Sequence, residues 1–278
     1  MGVRRAVDLA ERESADLWSG SAGSSRIYTM GPLIHNPQVL ASLKERGVAI
    51  LDEEELPEDL AGSVVIIRAH GVSPELEERL ISRGARIADA TCPRVKASQI
   101  KARALSDAGY TIFLAGERRH GEIIGIQGFA RGCIIVGNPG EAEQAAAELS
   151  RKNPGAKTAL IGQTTISPDE YRAIGEGIRG LFPGLEVIDT ICGATRDRQD
   201  SLRKLCAQAE AVIVAGGRDS ANTRRLLAIA AQNKPAWLVE KSGEIPEEIR
   251  AYRTVGLCAG ASTPDALIDA IEEALLSP

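Results

Sequence analysis

The sequence predicts an α/β protein of three pseudo-symmetric repeats, whose parallel sheets form a trefoil around a central cavity. Two cysteines, Cys92 and Cys192, stand 100 residues apart in the related segments IADATCP and VIDTIC. Similar segments recur at about that spacing along the 278-residue chain, which indicates an internal repeat. Short β-rich runs also alternate with helical patterns of ten or more residues, which is typical of βαβ units in a parallel sheet.

Each repeat is predicted to begin with a helix and a strand. The helical segments RVKASQIKARALSDAG and ATRDRQDSLRKLCAQA follow the two cysteines, and the opening segment MGVRRAVDLAERESADL resembles them. The strands that follow are RIYTMG, YTIFLAG and AVIVAGG. The repeat predicts three domains, at 1–91, 92–191 and 192–278.

The repeat also predicts a further strand. The first repeat begins in its helix, and the third ends in a helix without the strand and cysteine that close the other two. We therefore expect a strand ending in cysteine to precede Met1, about 92 residues before Cys92, by the same repeat logic.

Three of the five cysteines are expected to be structural. Cys206 belongs to an apolar helical stripe with Leu202, Leu205 and Ala209, so it should fill the core. Cys133 and Cys258 lie in apolar β-like runs, where a thiol behaves as a small hydrophobe. Cys92 and Cys192 remain as candidate ligands.

Composition limits the function classes. The 33 Lys and Arg residues are fewer than the 38 Asp and Glu residues, and the net charge is −5, which does not favour nucleic-acid binding. The sequence contains neither a membrane-span-length apolar run nor a signal-peptide pattern, so we expect a cytoplasmic protein without membrane contacts. The cysteines form no C-x-x-C pair, which disfavours zinc-finger and thioredoxin frameworks.

Polar residues are predicted at the carboxyl ends of the strands, where open α/β sheets bind ligands. One set of loops carries His35, His120 with Glu122, and Ser220 with Asn222; the other carries His70, Thr164 and Ser262. In the second set Ser73, Ser167 and Thr263 each precede a proline, which predicts helix N-caps. Helix N-termini suit a phosphate or diphosphate.

If the two candidate cysteines and the polar strand-end loops converge, the imidazoles and hydroxyls would bind an anion and the thiolates would bind a metal beside it. A mononuclear zinc site is one interpretation, and an iron–sulfur cluster with one iron free of protein ligands is the other. Glu122 could deliver a proton near that metal, or it could be a first-turn glutamate that complements the helix dipole.

The motifs together resemble the 4-hydroxy-3-methylbut-2-enyl diphosphate reductase family. The segments that carry the resemblance are MGVRRAVDLAE, IHNPQV, AHGVSPE, DATCP, GERRHGEIIG, QTTIS, ICGATRDRQ, SAN and AGASTPD. The resemblance implies a three-domain α/β trefoil around a [4Fe-4S] cluster held by three cysteines. It also implies removal of the substrate's allylic hydroxyl, which yields isopentenyl and dimethylallyl diphosphates, with electrons from a donor such as ferredoxin or flavodoxin.

By the same resemblance, specific residues acquire expected roles. Cys92 and Cys192 match two cluster ligands, and the family's first cysteine would stand directly before Met1. Glu122 matches the proton-delivery glutamate, and Thr164 and His120 lie beside it. The expected substrate-binding residues are His35, His70, His120, Thr164, Thr195, Ser220, Asn222 and Ser262.

The chain departs from the family pattern at two further positions. Gly121 replaces the proline that usually separates the histidine and glutamate, and Ala221 replaces a hydroxyl residue. Glycine loosens the backbone of the loop, but both neighbouring side chains are kept.

Overall fold

A computed structural model of the chain describes residues 2–18, 26–33 and 37–277. Most strands of the described ranges are followed by a helix. The helices are α1 (Gly2–Trp18), α2 (Pro37–Glu45), α3 (Pro74–Ser82), α4 (Pro93–Asp107), α5 (Gly121–Gln127), α6 (Pro139–Lys152), α7 (Pro168–Arg179), α8 (Gly193–Gln208), α9 (Ala221–Ala231) and α10 (Asp265–Leu276). The strands are β1 (Ile27–Met30), β2 (Val48–Leu51), β3 (Val64–Ile67), β4 (Arg86–Asp89), β5 (Thr111–Ala115), β6 (Ile134–Val136), β7 (Thr158–Gly162), β8 (Glu186–Val187), β9 (Ala211–Ala215), β10 (Ala236–Val239) and β11 (Val255–Ala259).

The strands form three sheets with the same internal order. The first sheet is β2-β1-β3-β4, the second is β6-β5-β7-β8, and the third is β10-β9-β11. Neighbouring strands are parallel in every sheet. The predicted α/β class with parallel sheets is therefore confirmed. Parallel strands place their carboxyl ends on one edge of each sheet.

Helices cover both faces of the second sheet. Phe113 and Leu160 pack with residues of α6 and α7, whereas Ile112 and Ile161 pack with residues of α4 and α5. Successive side chains of a strand point to opposite faces, so a strand covered on both sides needs an unbroken apolar run. The run TIFLA of β5 meets that need.

Helix starts follow the predicted capping pattern in two of three cases. The Ser73 hydroxyl accepts a hydrogen bond from the Leu76 amide, and the Ser167 hydroxyl accepts one from the Glu170 amide. The prediction for Thr263 is wrong, because α10 begins one residue later with Pro264 at its N-cap. The Thr263 hydroxyl instead donates to the Ala215 carbonyl, so it ties its loop to the end of β9.

The chain divides into two compact units. One comprises Met1–Leu33 and Leu40–Ile191, and the other comprises Ile34–Val39 and Cys192–Pro278. The first unit contains two of the sheets, and the second contains the third sheet. The predicted domain bounds and the central cavity stay predictions.

The helices of the described ranges include none that is long and apolar enough to cross a membrane.

Candidate active site

Glu122 is a buried carboxylate in the first unit, and it is hydrogen-bonded to a residue of another loop. Glu122 is in the first turn of α5, and 2% of its surface is exposed. Its Oε1 accepts a hydrogen bond from the Thr164 amide at 2.6 Å, and its Oε2 accepts one from the Thr164 hydroxyl at 2.9 Å. Buried carboxylates are rare unless they are hydrogen-bonded, and Thr164 supplies two donors from the loop after β7.

Two histidines are in contact at the start of the helix that carries Glu122. His120 is the N-cap of α5, and its Nδ1 accepts a hydrogen bond from the Glu122 amide at 3.2 Å. A neutral imidazole that accepts at Nδ1 carries its proton on Nε2. The His70 ring meets the His120 ring edge-on, with 4.7 Å between centroids. The loops after β3 and β5 are thereby in direct contact.

Gln163 joins the loops that follow β5 and β7. The side chain is fully buried; its Oε1 accepts from the Glu117 amide at 3.1 Å, and its Nε2 donates to the Thr165 hydroxyl at 2.9 Å. These bonds fix the two loops that carry Glu122 and Thr164. Gln163 therefore positions the Glu122–Thr164 contact.

Gln99 supports the loop that carries His70. Its Nε2 lies so close to Gly71 that a Cβ there would be 2.5 Å away. Gly71 also has a φ of 71°, a left-handed conformation that side chains with a Cβ disfavour. The conformation and the lack of space both require glycine directly after His70.

Arg68 extends from the end of β3 into a groove of about 560 Å³ that Gly31, Glu53 and Gly121 also line. A Cβ on Gly121 would lie 2.5 Å from its Nη2, and a Cβ on Gly31 would lie 3.0 Å from its Nη1. Burial lowers the pKa of Arg68, and the charge of Glu53 opposes that change. The side chain remains a cation at neutral pH, since arginine is not deprotonated in proteins.

Cys92 is the N-cap of α4, directly after β4. Its side chain makes no capping hydrogen bond, and its amide donates to the Ala69 carbonyl at 3.0 Å. The first residue of α1 lies against it, because a Cβ on Gly2 would be 3.0 Å from Cys92 Sγ. Burial opposes ionisation of Asp89, but hydrogen bonds from Lys96 and Thr91 hold the pKa of that carboxyl below its usual range.

The second unit contains the remaining polar residues. Cys192 is the N-cap of α8 and, like Cys92, makes no side-chain capping bond. The Ser220 hydroxyl caps α9 by accepting from the Thr223 amide at 3.3 Å. Asn222 Nδ2 is buried without a hydrogen-bond partner among the described residues. Thr195 is buried in the first turn of α8, and Ser262 is half-buried in the loop after β11.

The other three cysteines have environments that favour the neutral thiol. Burial raises the pKa of Cys133 to about 11, and it also raises the pKa of Cys206 and of Cys258. Cys206 is 3% exposed and packs in the core of the third sheet, as its helical spacing predicts. A cysteine binds a metal as its thiolate, so these three residues are poor ligand candidates.

The structure brings several predicted residues together in the first unit: His70, His120, Glu122 and Thr164. His35 lies outside the described residues. Sequence reasoning missed Arg68, Gln99 and Gln163. Arg68 directly precedes the motif AHGVSPE, and Gln163 begins the motif QTTIS. The contacts of both side chains are with loops that are distant in sequence. The described residues include no group of three or more His, Cys, Asp and Glu side chains arranged to hold a metal ion.

Comparisons with known sequences agree with these motifs over nearly the whole chain. Residues 1–276 match the protein family described as LytB protein. The 4-hydroxy-3-methylbut-2-enyl diphosphate reductase of Treponema denticola is 46% identical, with 99% of this chain and 95% of that protein covered. The enzyme of the same name from Aquifex aeolicus is 38% identical, with 98% and 90% covered.

Two solved structures align with this chain over nearly its whole length. The E-1-hydroxy-2-methyl-but-2-enyl-4-diphosphate reductase of Plasmodium falciparum aligns with a TM-score of 0.88 at 28% identity, covering 100% of this chain and 85% of that chain. A structure of (E)-4-hydroxy-3-methyl-but-2-enyl diphosphate reductase aligns with a TM-score of 0.68 at 36% identity, covering 99% and 94%.

Proposed function

The chain belongs to the LytB protein family, and from that membership we propose that it reductively dehydroxylates 4-hydroxy-3-methylbut-2-enyl diphosphate. It is an oxidoreductase like its named relatives. The reaction adds two electrons and two protons, breaks the allylic C–O bond and releases water. The proposed products are isopentenyl diphosphate and dimethylallyl diphosphate.

The observation that carries the proposal is the buried Glu122–Thr164 pair beside His120. A reaction that releases water from an alcohol needs a proton at the leaving oxygen, and a buried carboxyl group can supply it when protonated. Thr164 donates to both oxygens of Glu122, which fixes the orientation of the carboxyl group. In our proposal Glu122 delivers the proton and Thr164 orients the substrate hydroxyl beside it.

We propose that polar residues of each unit bind the substrate diphosphate. His70 and His120 would donate from their imidazoles, and Ser220, Asn222 and Ser262 would donate from the second unit. Thr195 and His35 complete the proposed set. The buried Nδ2 of Asn222 without a described partner supports this assignment, since buried donors are normally paired.

Cys92 and Cys192 fit a thiolate-bound cofactor. Both are half-buried and free, and each is the N-cap of a helix without making a side-chain capping hydrogen bond. We propose that they are two of the ligands of a [4Fe-4S] cluster, which would pass electrons from the donor to the substrate when bound. Lys96 pairs with Asp89 and the Asp89 carboxylate accepts from Thr91, so the turn before Cys92 is fixed.

We further propose a ferredoxin or flavodoxin as electron donor and the cytoplasm as the site of action. The net charge of −5 agrees with a small-molecule enzyme rather than with a nucleic-acid-binding protein.

The test is anaerobic reconstitution of the protein with iron and sulfide, followed by addition of the alcohol substrate and dithionite. We expect isopentenyl and dimethylallyl diphosphates, identified by chromatography, and a loss of product in the Glu122→Gln variant. Diphosphate binding without any turnover by the reconstituted protein would contradict the proposal. That outcome would instead favour a cluster-free diphosphate-binding relative.

A further inference from the structure

The Arg68 guanidinium lies against the backbone of the loop that carries His120 and Glu122. Its Nη2 is the atom nearest to the position of a Cβ on Gly121, at 2.5 Å, and its Cζ would be 3.0 Å away. Real Cβ atoms do not approach other heavy atoms so closely, because the repulsion at such distances is steep. The guanidinium therefore occupies the space that a side chain at position 121 would fill.

Gly121 leaves open the space that the guanidinium occupies, and its backbone conformation does not itself call for glycine. It is absent from the glycines with positive φ within the described ranges, and it is the first residue of α5. Alanine or proline would suit such a position by propensity alone. A side chain at position 121 would have to displace the Arg68 guanidinium.

Arg68 is held in place by its own segment. Its carbonyl accepts a hydrogen bond from the Gly71 amide at 2.9 Å, and the next carbonyl, of Ala69, accepts from the Cys92 amide at 3.0 Å. A Cβ on Gly31 would be 3.0 Å from its Nη1. The side chain thus extends from a fixed segment and contacts two glycines at its two terminal nitrogens.

Arg68 is half-buried, and among the described residues one carboxylate, Glu53, acts on its charge. Its buried Nε has no hydrogen-bond partner among the described residues. Glu53 is the carboxylate whose charge acts on it, and Glu53 also lies 3.5 Å from Arg79 in an exposed ion pair. A partly buried charge with few partners contributes little to the stability of a fold.

We propose that Arg68 is a positioning residue for the proposed reaction, and that Gly121 is the residue that admits it. The guanidinium packs against the α5 N-terminus and fixes the placement of His120 and Glu122 on either side of Gly121. This inference rests on the proposed function of that loop. Small displacements of catalytic groups are costly to turnover, so the contact should be visible in kinetics.

The experiment is a double-mutant cycle with Gly121→Ala and Arg68→Met. The alanine methyl group would displace the guanidinium, whereas methionine ends near the position of Nε and leaves the space at residue 121 open. Gly140→Ala is the matched control, because Gly140 is also in the first turn of a helix, and a Cβ there would meet its nearest atom at 3.4 Å. Turnover, the Kd of inorganic diphosphate for the metal-free protein and the melting temperature are measured for all four variants and wild type.

We expect each single variant to lower turnover by about tenfold and to weaken diphosphate binding. The double variant should be no worse than Arg68→Met, since alanine at position 121 then displaces nothing. Arg68→Met should melt no lower than wild type, because removal of a partly buried charge with few partners does not destabilise the fold. A merely structural arginine would lower the melting temperature instead.

If the fold-changes in turnover and Kd of the double variant equalled the product of the fold-changes of the two single variants, the inference would be wrong. So would a Gly121→Ala variant that matches Gly140→Ala, or an Arg68→Met variant that melts below wild type. If the wild-type protein lacked reductase activity, the proposed function would fail, and the diphosphate Kd cycle would still decide whether Arg68 and Gly121 act together.

Discussion

The carboxylate of Glu122 and the loop residue Thr164 are joined by two hydrogen bonds, although 42 residues separate them in the chain. One bond comes from the Thr164 amide and the other from its hydroxyl. The amide bond depends on the backbone alone, whereas the hydroxyl bond depends on the side chain. Substitutions at the two positions can therefore separate the acid function of Glu122 from its orientation.

Glu122→Gln should lower turnover by about 100-fold or more, because it removes the acid and keeps the shape of the side chain. The amide oxygen can still accept from the Thr164 amide, so inorganic diphosphate should bind with unchanged affinity. Steady-state kinetics and calorimetry measure the two effects. Glu78→Gln, on the exposed face of α3, is the control. Turnover close to wild type in Glu122→Gln would remove Glu122 from the mechanism.

Thr164→Val should lower both turnover and stability. Valine keeps the shape and the backbone donor but removes the hydroxyl that donates to Glu122 Oε2, a loss of about 1–3 kcal/mol in the free energy of unfolding. Urea denaturation measures that change. Thr164→Ser keeps the hydroxyl and should retain most of the turnover. Equal activity of the valine and serine variants would show that the amide bond alone orients the carboxylate.

His70→Ala should weaken inorganic diphosphate binding by about 1.5–3 kcal/mol, the range for a charge-assisted hydrogen bond. The ring also contacts His120, so a small loss of stability should accompany it. Isothermal titration calorimetry gives the affinity, and thermal melting gives the stability. An unchanged affinity would exclude His70 from the diphosphate site.

Asn222→Ala should separate binding from stability. The buried Nδ2 has no partner among the described residues, so its loss should change the free energy of unfolding by less than about 0.5 kcal/mol. Diphosphate affinity should fall, because the proposed donor is gone. Ser220→Ala offers the contrast, since it removes the α9 cap and should cost about 0.5–2 kcal/mol of stability. A stability loss in Asn222→Ala as large as in Ser220→Ala would contradict the assignment.

Cys133 should be alkylated slowly at pH 8 in the folded protein. Its pKa is raised to about 11 by burial, and the thiolate is the reactive form. The rate should increase about tenfold for each pH unit from 8 to 10, because the thiolate fraction does so below the pKa. Mass spectrometry of iodoacetamide-labelled peptides measures it. In urea the rate should level off near pH 9, as for an ordinary thiol of pKa about 8.5; a plateau there in the folded protein would refute the raised pKa.

The sequence by itself predicted the parallel α/β architecture and the loops that carry the site. Strands that alternate with helices pair in parallel. Right-handed crossovers then place the carboxyl ends of those strands at one edge of the sheet. His70, His120 and Thr164 could therefore be assigned to strand ends before any coordinates. The prediction of an N-cap at Thr263 was wrong, because its hydroxyl donates a hydrogen bond to the Ala215 carbonyl at the end of a neighbouring strand. The local sequence around Thr263 does not encode that contact.

The tertiary structure decided which side chains meet. The order of strands and helices fixes where each loop lies, but it does not fix the direction of a side chain within a loop, which depends on packing between loops distant in sequence. The contact of Glu122 with Thr164 and the approach of Arg68 to Gly121 are of this kind. The sequence shows Gly121 only as a departure from a motif, whereas the approach of a guanidinium from another strand end to that position is visible only in the fold.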